Sequence, residues 1–152
     1  MEFQVRDARL TDIDRVTGLI ERADSRWRSA DLATAADLLR QFVYMPSAAV
    51  LVAVEGRQVL GAAVLAIRPS VAAGGLVGSV DLLVVEPGHE LADVGEALLR
   101  EVTRTARNKG CVLLEGEIPT EPAEHDRWEK LGFRESGRRL VLPLARVPVP
   151  PR

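Results

Sequence analysis

Hydrophobic and polar positions change their period several times along the chain, and each change marks an element. Phe3-Gln4-Val5-Arg6 alternates and predicts a first strand. Ile13, Val16, Ile20 and Ala23 recur at helical spacing, which predicts an amphipathic helix over residues 12–23. Thr11 reads as its N-cap, with Asp12 and Asp14 where the helix dipole favours acids. After a polar stretch containing Trp27, a second helix carries Leu38, Leu39, Phe42 and Val43 on its apolar face. Ser29 or Thr34 is the expected cap and Pro46 the stop.

The middle of the chain reads as strands. Residues 50–54 lead into Glu55-Gly56-Arg57-Gln58, a turn in which glycine takes a positive φ at low cost. Residues 59–67 return as the partner, ended by Pro69, and residues 70–75 form a flexible hairpin loop. A third strand covers residues 76–85, ended by Pro87, so three strands form an antiparallel meander. Val94, Leu98, Val102 and Ala106 then mark a helix closed by Gly110. Residues 112–118 form another strand, with Val112, Leu114 and Ile118 on its buried face. Residues 123–131 form a short helix before Gly132, and Phe133 and residues 138–143 supply two final short strands. The strand–helix–strand unit at 76–118 needs a crossover, so the sheet is mixed. The fold class is therefore α/β (α+β), one domain over residues 1–145, with a Pro-rich, disordered tail at 146–152.

Composition removes several kinds of partner. Twenty Lys+Arg against 22 Asp+Glu give a net charge of −2, which excludes an electrostatically driven nucleic-acid binder. No apolar run approaches the ~18 residues of a membrane span, and the N-terminus lacks the pattern of a signal peptide. The single cysteine, Cys111, excludes an intramolecular disulfide and suits a reducing, cytoplasmic setting. Candidate chemistry is sparse. Gly74-Gly75-Leu76-Val77-Gly78 precedes a strand and so is no dinucleotide fingerprint. His89 and His125 lack companions at metal-ligand spacing, and no metal is expected. Carboxylates remain: Asp81 is the only charge within strand 76–85, and Glu115 and Glu117 share one face of strand 112–118.

Two segments carry a family resemblance. Val84-Val85-Glu86-Pro87, a loop and then Val94-Gly95-Glu96-Ala97-Leu98-Leu99 resemble the acyl-CoA-binding segment of GNAT acetyltransferases. His125-Asp126-Arg127-Trp128-Glu129-Lys130-Leu131-Gly132-Phe133 resembles that family's later segment, which ends in E-K-x-G-F. With the element order, the resemblance spans roughly residues 2–143. It implies a GNAT fold: a mixed central sheet with a splayed strand pair, flanked by about four helices. It also implies acetyl-CoA as co-substrate, with an amine acceptor that is a small molecule or a peptide. Backbone groups of Leu83, Val84 and Val85 would hold the pantetheine arm. The segment Glu90-Leu91-Ala92-Asp93-Val94-Gly95 would present N–H groups to the pyrophosphate. Trp128 falls where the family often has a tyrosine that protonates the departing thiolate, and an indole N–H cannot do so. Asp81 or Glu117 would be the general base.

The phosphate segment departs from the family's R/Q-x-x-G-x-G/A pattern. Glu90 stands at the cationic position and Asp93 at a glycine, while Glu121 replaces a cofactor-contacting asparagine. A carboxylate about 4–6 Å from a pyrophosphate costs on the order of 1 kcal/mol at an effective dielectric near 20. Alternatively, Asp93 caps the helix and both acids face solvent. Two readings follow. One is an acyl-CoA-dependent N-acyltransferase with a divergent cofactor loop. The other is a non-catalytic GNAT-fold binding or regulatory module, a pseudoenzyme that has lost CoA. Homodimerisation, common in the family, is a further expectation.

Overall fold

The computed structural model describes residues 2–23, 31–88, 91–137 and 139–144. Strands β1 (Gln4–Asp7), β2 (Ala48–Glu55), β3 (Gln58–Ser70), β4 (Gly75–Val85) and β5 (Cys111–Glu115) form one sheet in that spatial order. Neighbours are antiparallel except β4 and β5, which are parallel. Helices α1 (Ile13–Arg22) and α2 (Leu32–Tyr44) precede β2, α3 (Leu91–Asn108) is the crossover from β4 to β5, and α4 (Pro122–Lys130) follows β5. The sheet is mixed and accompanied by four helices, as expected, but it has five strands among the described residues where seven were expected.

Both sheet faces are covered, which explains why β2 and β3 read as nearly continuous apolar runs. On one face Ile13, Val16, Leu19 and Ile20 of α1 and Leu39 of α2 pack on Val50, Val52, Ala62, Val64 and Val84. On the other, Val94, Leu98, Leu99 and Val102 of α3 pack with Trp128 on Leu51, Ala63, Leu65, Val80 and Val85. Helix α3 approaches β3 closely at Gly61, where a Cβ would fall 2.8 Å from Val94 Cγ1 and 2.9 Å from Leu98 Cδ1.

Several local expectations are corrected. Asp12 closes a 3-10 turn (Leu10–Asp12) ahead of α1, and its carboxylate, not Thr11, accepts the Arg9 backbone N–H at 2.8 Å. Asp31 caps α2 by accepting the Thr34 N–H at 2.8 Å, a role expected of Ser29 or Thr34. Leu38 is exposed, and Ala36 takes its place beside Leu39. Pro69 does not end β3: it pairs with Leu76. The fifth strand ends at Glu115; Val112, the extra residue at a register slip, is exposed, and so is Ile118, three residues past the strand. The two final strands are absent among the described residues, since 133–137 and 139–144 form no ladder. Ser29, His89, Glu90 and the tail 146–152 lie outside the described residues.

Candidate active site: an open strand edge beside a bulged aspartate

Strands β4 and β5 start together and then part. Their ladder runs from Leu76–Cys111 to Ser79–Glu115 and stops, leaving residues 80–85 of β4 paired only with β3. Which backbone groups face the gap follows from the antiparallel alternation. The Glu86 N–H donates to the Leu60 carbonyl at 2.7 Å, so Val84 and Leu82 also turn their polar groups toward β3. Leu83 and Val85, the intervening residues, turn theirs to the open edge. Of the three expected backbone positions, Val84 is thus directed into the ladder and buries its side chain under the first helical layer.

The parting has a local cause in β4. Leu82 pairs with Val64 and Val80 with Leu65, so Asp81 is the extra residue of a β-bulge. Val80 packs on the same face as Leu83 and Val85, which strict alternation forbids, so the side-chain parity changes across Asp81. The Asp81 side chain reaches solvent, yet the protein around it raises its pKa through desolvation, with no charged neighbour contributing. An aspartate held above its ordinary pKa beside an unpaired strand edge suits proton abstraction better than salt bridging.

The other expected residues are dispersed around this edge. Glu115, at the last rung, accepts from Arg68 Nη2 and Ser79 Oγ, both at 3.1 Å, and is thereby engaged in an exposed pair. Glu117 lies half-buried two residues past β5. Leu91 and Ala92 open α3, so the expected phosphate segment is the helix's first turn. Asp93 is the third residue of that turn, not a cap, and is exposed, while Val94 and Gly95 are buried in it. Glu121 occupies the N-cap position of α4 without a side-chain capping bond. Trp128 is 5% exposed and stacks at a tilt on Phe133, with centroids 4.8 Å apart. A Cβ on Gly116 would meet its ring at 2.6 Å, so the indole is a wedge packed against the chain where β5 leaves β4. Cys111 is half-buried, and burial raises its thiol pKa, which disfavours the nucleophilic thiolate.

Two features escaped the sequence reading. Arg22 donates to both Glu86 oxygens, Nε to Oε1 at 3.0 Å and Nη2 to Oε2 at 2.6 Å, tying α1 to the residue after β4. No spacing rule links positions 64 apart. On α4, His125 does have companions: Nδ1 lies 2.6 Å from Glu129, and His125, Asp126 and Glu129 hold ligand-type atoms within 4.8 Å of one another. The i,i+4 spacing of His125 and Glu129 was the available signal. Nε2 of the same ring meets Glu135 at 3.1 Å.

Comparison with known proteins agrees with this geometry. Glucosamine 6-phosphate N-acetyltransferase of Trypanosoma brucei brucei is 36% identical over 90 residues, covering 57% of this chain and 58% of that protein. The chain thus matches rather more than half the length of that curated relative. The crystal structure of an acetyltransferase from Trypanosoma brucei superposes with a TM-score of 0.72 at 26% identity, covering 94% of this chain and 100% of the other. An integron cassette protein from the mobile metagenome of Cole Harbour Salt Marsh gives 0.78 at 26% identity, covering 97% and 93%. The model of the Acetyltransferase (GNAT) family matches residues 16–133, from α1 through the Trp128–Phe133 stack, and so takes in the parted strands and the bulge in β4. The chain belongs to the GNAT acetyltransferase family.

Proposed function

We propose that the protein is an acyl-CoA-dependent N-acyltransferase that moves an acetyl group from acetyl-CoA to an amine. The observation that carries this reading is the free edge of β4 at Leu83 and Val85, next to the bulged Asp81. An acyl-thioester arm laid along that edge replaces the missing strand, taking N–H and C=O groups that β5 leaves unmatched. The Leu83 and Val85 N–H groups also suit the charge that builds on a thioester oxygen under attack. Asp81 takes a proton from the substrate ammonium, directly or through one water; the neutral amine attacks the thioester carbon to give an oxyanion, whose collapse breaks the C–S bond and releases the thiolate. Glu117 is the second candidate base. The leaving thiolate draws its proton from solvent or from substrate, because Trp128 is buried as a wedge and carries only an indole N–H.

The first turn of α3 offers N–H groups to the pyrophosphate at the positive end of the helix. Asp93 is exposed there, which favours a weakened contact over a lost one. A cytoplasmic setting fits the lone thiol, and no helix among the described residues is long and apolar enough to cross a membrane. A single domain over residues 1–145 fits the continuous sheet. A homodimer fits the apolar residues left exposed on and beyond β5. The relative named for glucosamine 6-phosphate makes small phosphorylated amino sugars reasonable acceptors to try first.

The test is a thiol-release assay with acetyl-CoA over a panel of amines, including glucosamine 6-phosphate. Amine-dependent release that Asp81→Asn lowers by about a hundredfold or more is expected. Release equal in the two proteins for every accepted amine would remove Asp81 from the role.

A further inference from the structure

A groove of about 430 Å³ lies between α1 and the β2–β3 hairpin, and the acyl-transfer reading makes no use of it. Arg15, Gly18 and Arg22 line it from the helix, and Arg57 and Gln58 from the hairpin. Three arginines and one acid, Asp14, therefore border one hollow. Arg22 is held there by the two bonds to Glu86, which leave Nη1 directed over the helix. Gly18 lies beneath it: a Cβ at this residue would lie 3.2 Å from Arg22 Nη1, which a shift of a few tenths of an ångström would relieve. Glycine is unfavourable inside a helix, and here it forms the floor on which the guanidinium rests. Arg15 and Arg57 form no ion pair among the described residues. The acid at the rim, Asp14, is turned to Arg40 at 3.4 Å.

We propose that this groove binds a phosphoryl group carried by a small-molecule ligand. Arg15 and Arg57 carry N–H donors with no carboxylate partner among the described residues, which match a phosphoryl dianion, while Arg22, its charge already met by Glu86, adds a fixed N–H at the helix. Because Glu86 directly follows β4, the groove sits at the sheet end toward which the open edge of Leu83 and Val85 runs. The phosphate can belong to the amine acceptor or to the acyl carrier; the recognising chemistry is the same. The groove stands on its own residues and does not depend on acyl transfer taking place.

Calorimetric titration of the full chain with inorganic phosphate and with pyrophosphate tests it. Arg15→Ala and Arg57→Ala should each weaken binding about tenfold, the loss of a charge-assisted hydrogen bond. Arg107→Ala, an exposed arginine on α3, should leave it unchanged. Equal affinity in wild type, Arg15→Ala and Arg57→Ala would overturn the proposal, as would an equal loss in Arg107→Ala. The source follows from the affinities of Arg57→Ala for acetyl-CoA and for glucosamine 6-phosphate. A loss confined to the first supports the groove as a carrier site, and a loss confined to the second as an acceptor site. No change in either means that the groove is not a ligand site. No readout here needs turnover, so the groove can fail with acyl transfer intact, and the reverse.

Discussion

Two aspartates, Asp12 and Asp81, have opposite electrostatic fates. Asp12 is 3% exposed and meets Arg6 through both oxygens, at 2.7 and 3.1 Å, as well as the Arg9 N–H. The Arg6 hydrogen bond lowers its pKa most, against the desolvation that would raise it. A carboxyl depressed in the folded state adds stability above its unfolded pKa of about 3.9 and loses it as pH falls through the folded value. Asp12→Asn should therefore cost about 2 kcal/mol at neutral pH, reduced from the fully buried case because Arg6 is partly exposed. Urea denaturation of both proteins should show the gap closing at acidic pH; a constant gap would contradict the linkage. Asp81 runs the other way. Its folded pKa is raised, so its protonated form is favoured by folding and stability falls as pH rises through that value. Asp81→Asn should then keep or raise the melting temperature at neutral pH while removing activity. The acid limb of the wild-type kcat/KM profile should lie above the ordinary aspartate range.

At the level of elements, the gap between β4 and β5 is set by packing on either side of it. Gly61 lets α3 lie close enough to seal one face, and Gly61→Ala would place a methyl 2.8 Å from Val94 and 3.1 Å from the Val84 carbonyl. A cost of about 1–3 kcal/mol in denaturant unfolding is expected, since neither the helix nor the strand can yield alone. Trp128 seals the place where the strands part, and Trp128→Ala should cost about 3–5 kcal/mol. Trp128→Phe should instead keep most of the kcat, because no proton passes through the ring; a loss matching that of Asp81→Asn would show otherwise. Much of this architecture was legible. The apolar runs of β2 to β4, punctuated by turn residues, and the four-residue recurrence of α3 point to the meander and the crossover. The bulge was not, because Val80-Asp81-Leu82-Leu83-Val84-Val85 has no alternation to interrupt, and only pairing with β3 reveals the slip. Likewise the apolar residues of 139–143 suggest a strand, yet a strand needs a partner edge, and these residues find none among the described residues.

For the whole molecule, net charge conceals distribution. The −2 total covers an exposed acid in the first turn of α3 and three arginines gathered between α1 and the hairpin, which periodicity could not bring together. Apolar surface is distributed unevenly as well. Leu140, Leu142 and Leu144 are 97%, 79% and 93% exposed, and Val112 and Leu113 of the edge strand are more than half exposed. Patches of this kind mark contact surfaces on stable proteins, and a second copy covers them in the proposed dimer. Sedimentation should report a dimer that Leu113→Glu reduces to a monomer; a wild-type monomer at high concentration would contradict it. The central claim is that the open edge of β4 takes an acyl-CoA arm in spite of the unusual first turn of α3. Calorimetric titration with acetyl-CoA tests that most directly. A dissociation constant below about 100 μM, near −5.5 kcal/mol, is expected. Absence of binding at millimolar acetyl-CoA would contradict the account and leave a GNAT fold whose cleft serves another ligand.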